Sequence, residues 1–72
     1  MRVHSAKDVG AVVRTKRKKL GLTQRELAEA CGCGTRFLSE LENGKPSIEL
    51  GKALRVLGVL SLDMDVAERS FR

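Results

Sequence analysis

An all-α bundle of four to five short helices, with one β-strand at its C-terminal end, is the fold class that this 72-residue chain predicts. Three observations lead there. Capped segments with apolar residues at helical spacing are separated by glycine turns, at Gly21, Gly32-Cys33-Gly34 and Asn43-Gly44. After Gly58 the apolar period changes from helical to two. The core must be built from Leu, Val and Ala, because Phe37 and Phe71 are the only aromatics. At 42% hydrophobic the chain carries enough apolar surface for one compact domain, near the lower size limit for a single core.

The first helix is expected from about Ala6 to Leu20. Ser5 and Asp8 form a possible capping box, and Gly21 supplies a left-handed stop. Its apolar stripe runs through Val9, Val13 and Leu20, and Arg17 fills the gap between them. An arginine on a buried face requires an acidic partner, since an unpaired buried charge is costly. Arg14, Lys16, Lys18 and Lys19 can point outward.

The second helix, Gln24 to about Cys31, opens with the T-x-x-E box of Thr23 and Glu26. Leu22 and Leu27 are placed for a hydrophobic staple, with Leu27, Ala28 and Cys31 inward. A turn too short for anything but a sharp change of direction leads to a third helix, Thr35 to Glu42. Leu38 and Leu41 mark its core face. Arg36, Glu40 and Asn43 fall on the far side, Thr35 and Ser39 on one shoulder and Phe37 on the other.

Pro46 blocks continuation, and Ser47 is expected to cap a fourth helix from Ile48 to Leu57 that buries Leu50, Ala53, Leu54 and Leu57. Gly58 reads as its stop. Leu60, Leu62, Met64 and Val66 then alternate with polar residues, as in a strand with one oily face. Met1 to His4 is the only other extended candidate, so the natural partner is the same strand of a second copy across a two-fold axis. The alternative is a mobile tail. The domain division expected is 1–58 for the helical part and 59–72 for the dimerisation segment.

Charge is distributed unevenly. Residues 1–25 carry eight Lys/Arg against one acid, whereas 26–72 carry six against eight acids, within a net +5. A basic front end points to a polyanionic partner. Cys31 and Cys33 are too close in sequence for an unstrained disulfide and, with one distant histidine, make no zinc set; they read as small buried apolar side chains. His4 stands alone near a terminus. No metal-ligand set and no nucleophile–base pairing can be assembled, so an enzyme is not expected, nor a cofactor. Without a signal peptide or a long apolar run, a soluble cytoplasmic protein is expected, with no membrane partner.

Two short helices joined by a tight glycine turn, behind a basic helix, meet the requirements of a helix-turn-helix: the first braces against the DNA backbone and the second enters the major groove. The residues L-T-Q-R-E-L-A and G-C-G-T-R-F-L-S-E-L-E-N-G-K closely resemble the Cro/repressor-type (XRE) helix-turn-helix family, over about Val9 to Leu57. The resemblance implies a small lambda-repressor-like bundle. It implies that Thr35, Arg36, Ser39 and Glu40 read bases, and that Gln24, Asn43 and Lys45 contact phosphate. It also implies that Arg17 pairs with Glu42, the acidic partner the wheel demands. Gly34 departs from the family's usual Ser or Thr, which weakens the cap of the third helix.

The run E-N-G-K-P-S-I-E-L-G-K-A-L-R-V-L, the short length and the final strand look most like HipB-like antitoxins, including y4mF-like regulators. That likeness implies a homodimer clasped in part by Leu60, Leu62, Met64 and Val66, repressing its own operon through a palindromic double-stranded operator. A HipA-like kinase toxin is the implied second partner. A free-standing repressor of phage or restriction–modification type is the alternative, and a protein-interaction module without operator binding is another.

Overall fold

The computed structural model describes residues 2–68. Four helices follow one another: α1 (Ala6–Lys19), α2 (Gln24–Cys31), α3 (Thr35–Glu42) and α4 (Leu50–Val59). α3 packs against both α1 and α2, and α2 also packs on α4. Val13, Leu27, Leu38, Leu41, Val56 and Leu60 are the largest fully buried side chains, with Ala28, Cys31, Ala53 and Leu57 completing the core. As composition requires, no buried aromatic is among them; Phe37 only rests on the edge of the cluster.

One device ends all four helices. The residue after the last turn is left-handed, at Gly21, Gly32, Gly44 and Ser61. Its N–H and the next one bond back to the final carbonyls, as with Gly21 to Lys18 and Leu22 to Arg17, or Ser61 to Gly58 and Leu62 to Leu57. Leu22, Cys33 and Leu62, the residues that follow three of these turns, then fold onto the core. Each cap thereby closes the orphan carbonyls and aims the chain inward in one move.

At the start of α2, Thr23 Oγ1 accepts from Glu26 N–H at 3.0 Å while Glu26 Oε1 accepts from Thr23 N–H at 2.8 Å, a reciprocal box. Ser5 likewise accepts from Asp8 N–H. The Asp8 carboxylate, however, takes the N–H of His4 and not that of Ser5, so the return half of the expected box is displaced by one residue.

α1 crosses α3 at very close range. A methyl group on Gly10 would collide with the Leu41 carbonyl oxygen and lie 2.7 Å from that of Glu42. One on Gly44 would sit 2.6 Å from the Lys7 Cα. The two glycines let the backbones of α1 and of the α3–α4 loop touch without side chains between them.

Several expectations are corrected in the C-terminal third. Glu49, not Ser47, caps α4, its carboxylate accepting Lys52 N–H at 3.0 Å. The helix then runs through Gly58 and stops at Ser61 instead. The buried face also differs from the expected one: Val56 and Leu60 go inside with Ala53 and Leu57, while Leu50 is 59% exposed and Leu54 also faces out. Leu20 is likewise an exposed cap residue and not part of the α1 stripe.

Among the described residues no strand forms, so the chain is an all-α four-helix domain there. Leu60, expected on a dimerisation strand, is a core residue at the end of α4, and Leu62 packs on the core from the turn behind it. Met64 and Val66 remain exposed, Val66 at 94%. The physical reason is that a strand needs a partner's hydrogen bonds, and a single chain offers none to this segment. Met1 and residues 69–72, which the extended-segment and dimerisation expectations include, lie outside the described residues.

Candidate nucleic-acid interface

The interface is assembled around one buried knot. The Arg17 guanidinium donates through Nε to Glu42 Oε2 at 2.7 Å and through Nη2 to Oε1 at 3.0 Å. Its Nη1 donates to the Leu22 carbonyl at 2.8 Å. Gln24 Nε2 donates to the same Glu42 Oε1 at 3.1 Å. α1, the turn behind it, the first residue of α2 and the last residue of α3 are thus tied together at one carboxylate. Among the described residues no buried side-chain nitrogen or oxygen lacks a partner. Burial pushes the Glu42 carboxyl up, but the hydrogen bonds from Arg17 and Gln24 outweigh it and hold the group below its ordinary value. The Glu42 hydrogen bond correspondingly raises Arg17.

α3 presents the outward face. Leu38 and Leu41 wedge it into the core, and its N-cap, Gly34, makes no side-chain cap bond. Thr35 and Arg36 are exposed, the Arg36 side chain at 92%, while Ser39 and Glu40 are half-buried beside them. Glu40 Oε2 lies 3.2 Å from Lys45 Nζ and 3.6 Å from Arg36 Nε, so the one acid of this face is already engaged by two cations. Asn43 Nδ2 donates to Ser39 Oγ at 3.4 Å. Thr35, Arg36, Ser39, Glu40, Asn43 and Lys45 therefore lie along one face of α3 and the loop after it, with Gln24 anchored at Glu42. Phe37 turns to the flank, where Lys52 Nζ stands 5.8 Å from its ring centre.

Sequence reasoning did not anticipate Gly10 or the tethering of Gln24 and Lys45 to acids. For Gly10 a signal existed: a glycine inside a helix, one turn before Val13 and two before Arg17 on the inward face, signals close backbone approach. The Gln24 tether depends on tertiary placement and left no trace in spacing, whereas that of Lys45 is local, spanning five residues across the turn after α3.

Two hollows open on the surface of the described residues. A groove of about 950 Å³ runs between the N-terminal segment, α1 and the tail, with Val3, Val9, Val12, Leu57, Leu62 and Met64 in its walls. A smaller one of about 190 Å³ lies at the α2–α3 turn beside Cys31, Cys33, Phe37, Lys52 and Arg55. Burial pushes the Cys31 thiol up, away from thiolate chemistry. Among the described residues no three His, Cys, Asp or Glu gather as a metal site, and no helix is long and apolar enough to cross a membrane.

The chain is similar to known helix-turn-helix proteins in sequence and in fold. The family model described as Helix-turn-helix matches residues 13–66. The uncharacterized HTH-type transcriptional regulator y4mF of Sinorhizobium fredii is 45% identical over 65 residues, covering 90% of this chain and 86% of its own length. The ImmF control region 10 kDa protein of Bacillus phage phi105 is 35% identical over 60 residues, covering 83% of this chain and 67% of that protein. In fold, the chain superposes on the solved HipA-HipB-O2-O3 complex with a TM-score of 0.85 at 24% identity, covering 97% of this chain and 99% of the matched one.

Proposed function

Because the chain belongs to the helix-turn-helix family of DNA-binding transcriptional regulators, of the Cro/repressor (XRE) type and not enzymatic, we propose that it is a homodimeric repressor, the HipB-like antitoxin of a type II pair regulating its own operon. The observation that carries the DNA-reading half is the attitude of α3. Its Leu38 and Leu41 are clamped inside while the Arg36 side chain stands 92% exposed on the opposite face.

A dimer sets two such helices about one DNA turn apart, so the operator is a palindrome with half-sites roughly 10 bp between centres. Arg36 takes guanine O6 and N7 in bidentate fashion, with Thr35 and Ser39 reading beside it. Glu40 holds Arg36 and Lys45 before DNA arrives, and accepts from a cytosine amine once they move to the duplex. Gln24, at the N-terminus of α2, and Lys45 with Asn43 grip phosphates and fix the register.

In this reading the dimer clasp is the segment after Leu62, pairing with the same segment of a second copy; the exposure of Met64 and Val66, which alternate with acids, supports it. The antitoxin role is supported by the fold likeness to HipB in its assembly with HipA. The free-standing phage-type repressor is favoured by the relative from the phage control region. Co-purification with a kinase-like protein separates the two.

The direct test is Arg36→Ala. It should cost about 1–3 kcal/mol on the preferred duplex and relax one base position. Equal weakening on every sequence would instead make Arg36 a phosphate contact and overturn the assignment.

A further inference from the structure

We propose that Lys7, Arg14 and Lys18 form a phosphate-gripping ridge along α1, which extends the DNA contact beyond the reach of α3. The inference rests on the DNA-reading proposal above and assigns to α1 a second binding surface.

The three cations recur at spacings of seven and four, so at ~100° per residue they share one stripe of the helix. All three are exposed, and among the described residues no carboxylate forms an ion pair with any of them. Arg25, by contrast, lies 3.9 Å from Glu29 on α2. The direction of the stripe follows from two neighbours. The Lys7 backbone abuts Gly44, inside the Asn43-Gly44-Lys45 loop. The Arg14 charge is felt at Glu42, which anchors Gln24. The ridge therefore passes beside both groups assigned to phosphate.

From Lys7 to Lys18 the helix advances about 16 Å, at 1.5 Å per residue, which faces several phosphates at roughly one charge per 3.4 Å of each strand. The opposite side of α1 is already occupied. Val9 and Val12 face the apolar groove with Leu57 and Leu62. Lys16 lies seven residues from Val9 and four from Val12, and Lys19 seven from Val12, so these two cations belong to the groove side. Apart from the buried Arg17, the cations of α1 thus divide into a DNA ridge and a pair that supplies only a diffuse field.

That division gives an internal control. Binding of the duplex enriched from random DNA is measured for the full chain between about 50 and 200 mM salt. The triple variant Lys7→Gln/Arg14→Gln/Lys18→Gln should bind more weakly on all sequences with unchanged base preference. Its plot of log affinity against log salt should be shallower by roughly 0.9 for each phosphate no longer neutralised. Lys16→Gln/Lys19→Gln should keep the wild-type slope. The single variants, read the same way, keep the test decisive should the triple variant unfold. Equal slopes for wild type and triple variant, or equal reductions in both sets, overturn the ridge alone. A wild-type chain that enriches no sequence overturns the ridge together with the DNA-reading proposal.

Discussion

Glu42 shows how much a single side chain carries here. Its two oxygens take three hydrogen bonds, from Arg17 twice and Gln24 once, with its side chain only 3% exposed. Glu42→Ala leaves the Arg17 guanidinium buried without its counter-charge, and should cost about 3–5 kcal/mol in denaturant unfolding. The pair also sets an acid limit. Glu42 is held below its ordinary value of 4.5, so its contribution is fully present above that pH and fades as pH falls through the lowered folded value. Stability should be level in this respect down to about 4.5 and then decline. In Glu42→Gln the decline should flatten, leaving the smaller share of Glu26, whose carboxyl the Thr23 N–H and hydroxyl hold down. An unchanged acid limb in that variant would mean that Glu42 is not its source. The need for a partner at Arg17 was legible, because its position in the α1 stripe demanded one; the third donor, Gln24, was not, since nothing in spacing brings the start of α2 to the end of α3.

Among the elements, the helix starts and stops decide where the outward face of α3 points. α1, α2 and α3 were legible almost residue for residue, since Ser5, Thr23, Gly21, Gly32 and Gly44 act locally. α4 was not. Gly58 resembles a stop by composition, yet the left-handed turn falls on Ser61, because Leu62 is the residue that can fold back on the core. The two placements differ in a measurable sign. Gly58 is exposed inside a helix, with nothing within 4 Å of an added methyl, so Gly58→Ala should raise stability by about 0.5–1 kcal/mol. A fall in thermal or denaturant stability would return the turn to Gly58. Gly10→Ala is the converse case. Its methyl meets two backbone carbonyls that cannot step aside, and α1 must lift from α3 at a cost of about 3 kcal/mol. Since α1 also carries the Arg17 end of the knot, DNA affinity should fall with stability.

At the scale of the whole molecule, the described residues form a four-helix domain followed by an extended, exposed segment after Leu62. Leu60 and Leu62 belong to the core, so the proposed dimer clasp is confined to residues after Leu62, and a truncation that tests it must spare both leucines. Removing residues 63–72 should leave the four-helix domain folded while dimer affinity and duplex affinity drop together, read by sedimentation and by mobility shift. Dimers of unchanged strength would place the clasp elsewhere. The period-two pattern was legible, but its meaning was not: two of its four apolar residues pack into their own chain, and alternation does not reveal which neighbour it serves. The proposed function depends above all on the exposed face of α3, doubled by symmetry, reading base edges. Selection of bound duplexes from random DNA with the full chain puts that to the test. An inverted repeat with half-site centres about 10 bp apart is the expected outcome. Enrichment of no sequence, or of a lone site without a two-fold partner, would contradict it.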